Sequence, residues 1–266
     1  MTSSTIDHLL DTGSDAGRDR VNHLEDLFDE PTVACLETIR PRPGDRCLDL
    51  GGGGGSVARW MAERTGPRGS VVAVDLETDQ LRGLPGVEVH RHDVNHGLPV
   101  DGPFDLVHAR LLLARLPRRE EILELLVDSL APGGWLVLGE ASPRRPQVLA
   151  APGSGDAELF NHIQHLLMDR VSPASGFSWA WARQVDQRMT AAGLTNVGGL
   201  QHRETAVGGG NACLLWRNVC RQAQPALLDA GASVEQLDRF DRMMLDPRLR
   251  CWFHEFVCTR GQRPAC

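Results

Sequence analysis

Residues 47–55 constrain this chain more than any other stretch. Cys47-Leu48-Asp49-Leu50 is a short apolar run interrupted by an acid, and Gly51 to Gly55 are all glycine. Ser56-Val57-Ala58-Arg59-Trp60 then opens a helical pattern, with Val57, Trp60 and Met61 at i, i+3 and i+4. Strand, glycine turn and helix, in that order, open a nucleotide-binding α/β domain. Glycine permits positive φ and lets a ligand touch bare backbone. Ser56 is placed to cap the helix, whose first N–H groups can meet an anion. The spacing also separates cofactors. A dinucleotide fingerprint needs Gly-x-Gly-x-x-Gly, and counted from Gly51 its last place falls on Ser56. The frame that fits is acid-x-Gly-x-Gly-x-Gly, as Asp49, Gly51, Gly53 and Gly55.

Four more apolar runs follow in strand-like form. Gly69 to Asp75 reads as a second buried strand, ending in an acid about twenty residues past the glycines, where a carboxylate can accept from both ribose hydroxyls. Gly86 to Asp93 reads as a third strand, again closed by an acid, and Phe104 to Arg110 as a fourth. Leu130-Ala131-Pro132-Gly133-Gly134 is a helix stop and turn leading into a fifth, Trp135 to Leu138.

These segments, LDLGGGGGSVARWMAE, VVAVDLE, HDV, FDLVHARLLLARLP and LAPGGWLVLGE, stand in the order and spacing of a known family. The chain resembles the class I S-adenosylmethionine-dependent methyltransferases. The wording RHD, FDLVHAR, LPRRE and APGGW is most similar to the bacterial small-molecule enzymes of natural-product type. The resemblance is specific over residues 44–142 and general beyond them. It implies that Gly51, Gly53 and Gly55, beneath Asp49, line the methionine part of the cofactor. By the same resemblance Asp75 holds the ribose, Leu76 packs on the adenine, and Asp93 with Val94 reads the adenine edge. Ala109 and Arg110 face the methionine end. Relatives often carry a histidine before Leu116-Pro117, where this chain has Arg115.

Composition narrows the alternatives. A chain of 266 residues suits one decorated domain better than two. A net charge of −7 argues against a nucleic-acid or anionic-membrane surface. No apolar run is long enough to span a bilayer, and residues 1–16 are polar, so a cytoplasmic enzyme is expected. There is no tyrosine, and all 28 basic residues are arginine. The absence of lysine removes P-loop and Schiff-base chemistry, and with no Tyr-x-x-x-Lys pair a short-chain dehydrogenase reading fails. The seven cysteines form no C-x-x-C, so reduced, buried thiols are expected, and the histidines have no metal-ligand spacing.

In chain order, Arg18 to Phe28 and Pro31 to Ile39 read as two amphipathic helices. Residues 1–43 form a helical lid segment by resemblance, with helix packing on the core as the plain alternative. A short helix is expected at Thr78 to Leu84 and a firm one at Arg119 to Leu130. Later helices are read at Glu158 to Val171, Ser178 to Ala192, Cys213 to Ala230 and Val234 to Leu245. A sixth strand is placed at Asn196 to Val207 and the last at Cys251 to Val257, with Gly208 to Gly210 as an interhelical hinge. The expected fold is α/β, a Rossmann-like, doubly wound, seven-stranded sheet over residues 44–266, its last strand antiparallel beside the fifth. Helical cap insertions fall at about 154–172 and 209–247. The first is the better placed substrate cap, and the second can form a cap wall or the face of a homodimer.

Methyl transfer asks the protein to align nucleophile, methyl carbon and sulfur and to exclude water. A base is needed only where the acceptor still carries its proton. Candidates are His108, Glu140, His162 and His165. Each has a bland alternative: a bonded core histidine for His108, a solvated loop acid for Glu140, surface residues for the other two. The leading expectation is a small-molecule methyltransferase using S-adenosylmethionine and releasing S-adenosylhomocysteine. O-methylation is slightly favoured over N- or C-methylation by fold analogy. A protein that binds the cofactor without methyl transfer, and a nicotinamide-dependent oxidoreductase, are the rivals.

Overall fold

The computed structural model describes residues 13–265; the polar start at 1–12 and Cys266 lie outside the described residues. The chain divides into two compact units. One comprises residues 28–142, 180–201 and 256 onward, and holds the large sheet. The other comprises residues up to 27, 143–179 and 202–255, and is mainly helical.

The sheet unit is built on β1 (Arg46–Leu50), β2 (Ser70–Asp75), β3 (Val87–Arg91), β4 (Phe104–Arg110), β5 (Leu130–Ala141), β6 (Thr195–His202) and β7 (Phe256–Gln262). Their order across the sheet is β3-β2-β1-β4-β5-β7-β6. β1 lies between β2 and β4, parallel to both. Its residues Cys47 to Leu50 are all buried, as expected of a strand covered on both faces. β7 runs antiparallel to β5, with Val257 opposite Glu140 and Gly261 opposite Leu136. The helices of this unit are the second half of α1 (Asp15–Ile39), then α2 (Ser56–Thr65), α3 (Arg119–Asp128) and α4 (Trp181–Ala191). α2 buries Val57 and Met61 of the stripe expected from spacing, together with Ala58, while Trp60 is half-buried. The doubly wound, seven-stranded sheet with an antiparallel last strand is therefore present.

Several boundaries differ from the sequence reading. The two N-terminal helices are one: Pro31 sits inside α1, where it forfeits a backbone bond without ending the helix. Residues 78–84 form turns in place of a helix; the Thr78 carbonyl accepts from Leu81 and Arg82, and Gly83 at φ +79° with Pro85 stops further winding. The last strand of the sheet is Phe256–Gln262, and Cys251 and Trp252 belong elsewhere. Gly261 hid that strand, since glycine has weak strand preference. Here it makes room for its neighbours, since a Cβ would come within 2.9 Å of the Leu194 side chain.

The helical unit contains a small antiparallel sheet in which residues 250–252 lie between 147–150 and 205–207. Sequence reading ran 196–207 as one strand, but the chain breaks at Arg203 and Glu204. Phe253 N–H donates to the Glu204 carbonyl and Arg203 Nε to the Phe253 carbonyl, at 3.0 and 2.9 Å, which ties that break to the small sheet. Gly208 to Gly210 join this strand to the helix at 211–222, so they are a strand-to-helix turn and not a hinge between helices. A Cβ on Gly208 would lie 1.9 Å from the Asp246 carbonyl oxygen. The helices at 156–166, 211–222 and 234–243 bury Phe160, Trp216 and Phe240. Arg239 ties the last of these to the first through Asp156, at 2.6 Å.

Candidate active site

The turn from β1 into α2 is the most constrained backbone of the sheet unit. Gly53 has φ +55° and Gly55 φ +86°, both in the left-handed region that favours glycine. Gly51 N–H donates to the Val74 carbonyl at 2.8 Å, which fastens the turn to the end of β2. Gly53 N–H donates to Asp75 Oδ2 at 3.0 Å. A Cβ on Gly55 would fall 2.4 Å from Leu84 Cδ1 and 3.0 Å from Leu81, so this position is also short of room. Ser56 does not cap α2. Gly55 is the N-cap, and the Ser56 hydroxyl donates instead to Asp29 Oδ1 at 2.8 Å.

At the end of β2 the Asp75 carboxylate accepts from Gly53 on one oxygen and from Glu77 N–H, 3.0 Å away, on the other. Burial pushes its pKa above the ordinary carboxylate value, against the lowering effect of the backbone N–H groups. Leu76 beside it is 42 % exposed, unusual for a leucine next to a buried strand. Asp93, after β3, caps the turn that follows: its Oδ1 accepts from the Asn95 backbone at 2.9 Å, and Val94 is buried. At the end of β4, Ala109 is buried, while Arg110 Nη1 donates to Asp29 Oδ1 at 2.8 Å and to Thr32 Oγ1 at 3.2 Å.

The four candidate bases divide between the units. Asp49 and His108 are neighbours in the β1–β4 register, and His108 Nδ1 lies 2.7 Å from Asp49 Oδ1. Both side chains are buried, and Asp49 Oδ2 and His108 Nε2 have no partner among the described residues. Glu140 on β5 is also buried, with Oε1 accepting from Ala114 N–H at 3.2 Å. Desolvation pushes its pKa up to about 8, although the Ala114 and Leu113 N–H groups and the charges of Arg115 and Arg119 oppose the rise. His162 and His165 belong to the helical unit, on the helix at 156–166. His165 is exposed, and its Nδ1 pairs with Asp169 Oδ2 at 2.5 Å; His162 is half-buried. Among the described residues, no group of three or more His, Cys, Asp or Glu is placed to hold a metal ion.

A family model described as a methyltransferase domain matches residues 20–198. The chain belongs to the methyltransferase-domain family. Its fold, like the resemblance of residues 44–142, is that of the class I S-adenosylmethionine-dependent branch. Trans-aconitate 2-methyltransferase of Rhizobium rhizogenes is 30% identical over 169 residues, 62% of this chain and 59% of that protein. Methyltransferase str2 of Strobilurus tenacellus is 33% identical over 97 residues, 36% of this chain and 35% of that protein. The chain thus matches between about a third and three fifths of the length of these curated relatives. In fold it is similar to phosphoethanolamine N-methyltransferase 2 of Haemonchus contortus, solved with phosphomonomethylethanolamine and S-adenosylhomocysteine. That likeness has a TM-score of 0.58 at 17% identity and covers 99% of this chain and 61% of that one.

Within this methyltransferase-domain chain, sequence reading missed the residues that tie α1 to the glycine turn. Asp29 binds both Ser56 and Arg110, and Thr32, fully buried, completes the bond to Arg110. A signal was available, since Asp29 and Thr32 stand one turn apart beside the apolar Phe28 and Leu36.

Glu140 carries a pH-dependent stability. Its pKa of about 8 in the fold exceeds the unfolded value of about 4.3, so the folded chain keeps a proton that the unfolded chain releases. This contribution is complete below the unfolded pKa and is lost as pH rises through the folded one. The loss has a slope of at most about 1.4 kcal/mol per pH unit. Glu140→Gln keeps the shape and cannot ionise, so its stability should change less between pH 5 and 8 than the parent's. Urea unfolding at several pH values measures the difference, and parallel curves would show that Glu140 is not the group responsible.

Proposed function

We propose that this chain transfers the methyl group of S-adenosylmethionine to a small-molecule acceptor and releases S-adenosylhomocysteine. The observation that carries the reading is the Asp75 carboxylate at the head of the glycine turn. A carboxylate offers about four lone-pair sites; Gly53 and Glu77 bond one oxygen each, and the Leu76 N–H also bonds the carboxylate. The acceptor capacity left over suits a ribose hydroxyl. The rest of the edge fits the same cofactor. Gly51, Gly53 and Gly55 present bare backbone, and Asp49 Oδ2 is a buried acceptor left over for an ammonium group. Leu76 offers an exposed apolar face to an adenine, with Asp93 and Val94 at its edge. When bound, the cofactor supplies an electrophilic methyl group on a positively charged sulfur. The chain's own residues hold the partners in line, keep water out and, where the acceptor carries a proton, remove it.

The finer reading is an acceptor oxygen, hydroxyl or carboxyl, in secondary metabolism. It rests on the similarity of RHD, FDLVHAR, LPRRE and APGGW to natural-product enzymes. We read the N-terminal segment 1–43 as a lid, supported by the Asp29 bonds to Ser56 and Arg110. The insertions at about 154–172 and 209–247 are read as the acceptor-binding part, the second with a homodimer face as its alternative. The net charge of −7 supports a cytoplasmic protein that binds neither nucleic acid nor membrane. No helix of the described residues is long and apolar enough to cross a membrane.

Calorimetry with the purified chain tests the cofactor. S-adenosylhomocysteine should bind, and NAD and NADP should give no comparable heat. The reverse ranking would end this reading in favour of an oxidoreductase. Tight S-adenosylhomocysteine binding without turnover on any acceptor would leave a cofactor-binding protein that transfers no methyl group.

A further inference from the structure

The helical unit contains a ring cluster in which three buried ring nitrogens have no partner among the described residues. Phe160 meets Trp216 edge-on at 5.1 Å, and Trp216 lies 4.7 Å from Phe253 and 5.7 Å from His254. The indole of Trp179 stacks on His254 at 5.1 Å, with 24° between the planes. Nε1 of Trp179, Nε1 of Trp216 and Nδ1 of His254 are buried and unbonded among the described residues. Gln164 stands one turn beyond Phe160 on the helix at 156–166, so both project from the same side. It is 3% exposed, and neither its amide oxygen nor its amide nitrogen has a partner. Folded chains satisfy nearly all buried polar groups, because an unbonded one forfeits its bonds to water. Three unbonded ring nitrogens in one cluster, with an unbonded amide one helical turn from its Phe160, are more than packing explains.

We propose that this cluster binds a neutral, planar aromatic molecule bearing oxygen acceptors, its ring among Trp179, Trp216 and His254 and its oxygens on the indole N–H groups and Gln164. The reading of this molecule as the methyl acceptor rests on the methyltransferase function proposed above. Each part of the ligand class follows from the residues. Ring faces and edges favour another ring in stacked or edge-on contact. An indole N–H can only donate, so its partner must accept, while the Gln164 amide serves either role. None of the unbonded atoms carries a formal charge. His254 is neutral at ordinary pH, since burial, helped by the nearby Arg203, lowers its pKa to about 3. The unbonded atoms are sealed from solvent, so a side chain must move to admit a ligand. Trp179 is the one to move: it is half-buried, sits on the non-helical stretch 175–180, and its indole already occupies a stacking place on His254.

The test uses the full chain and three probes that share a ring, followed by ligand-observed NMR titration: 1-naphthol, naphthalene and 1-naphthoate. We expect 1-naphthol to bind about tenfold tighter than naphthalene, and 1-naphthoate to bind weakest of the three. Trp216→Phe removes an N–H and keeps a ring; Gln164→Leu removes the amide and keeps the bulk. Each variant that unfolds at the parent's temperature should lose much of the naphthol preference with naphthalene affinity unchanged. The proposal is overturned if neither naphthol nor naphthalene binds or if the two bind equally. It is also overturned if naphthoate binds tightest, or if the preference survives in both variants. S-adenosylhomocysteine affinity on the same samples separates the two readings. Cofactor binding without naphthol preference removes this site alone, and naphthol preference without cofactor binding removes the methyltransferase reading alone.

Discussion

Asp75→Ala is expected to weaken S-adenosylhomocysteine binding about ten- to hundredfold, because hydrogen bonds to a charged acceptor contribute about 1.5–3 kcal/mol. The same substitution removes the acceptor of the Gly53 N–H, so the glycine turn keeps only its backbone ties to Val74. Gly53→Val should do at least as much damage. At φ +55° a β-branched residue is strained, and its side chain also blocks close approach of a ligand to the backbone. The two substitutions share one hydrogen bond, so their effects should not add in the double variant. Asp75→Asn, which keeps one acceptor oxygen, should fall between parent and alanine. Affinity should also drop as pH falls through the Asp75 pKa, which burial holds above the ordinary value, since a protonated carboxyl accepts fewer bonds. Calorimetry measures all of these, with thermal unfolding as the control for folding. Unchanged affinity in a folded Asp75→Ala protein would move the ribose contact to another residue.

The second large effect concerns the proton of the acceptor. If the acceptor is an alcohol or phenol, alanine at the position of the base should depress turnover about a hundredfold or more and leave cofactor affinity intact. Four single variants, at His108, Glu140, His162 and His165, cover the candidates. The pH profile sorts them further. A rise near 8 points to Glu140. His108→Ala carries an extra consequence, because it strips the buried Asp49 carboxylate of its 2.7 Å partner and should cost stability too. If all four variants keep near-normal turnover, orientation alone carries the reaction. A nitrogen or activated carbon then becomes the better acceptor.

The sequence by itself determined the sheet as far as β5. Runs such as Val71 to Val74 and Leu106 to Ala109 can be buried on both faces in one way, as parallel strands, and glycine between Asp49 and Ser56 admits few backbone shapes. That Asp75 closes β2 and Asp93 follows β3 was legible for the same reason, since each acid stands just past an apolar run. Distant pairing was not legible. Pattern alone could not show that residues 250–252 and 256–262 enter different sheets, because both are short and the break between them is only Phe253 to Glu255. The Asp29–Arg110 bond joins residues 81 positions apart, and Asp49 meets His108 through strand register across 59. Such contacts are decided when packed elements bring distant side chains together, and no local spacing encodes them. Only the tertiary structure, likewise, buries Glu140 and raises its pKa, since desolvation belongs to the surroundings of a carboxyl and not to its place in the chain.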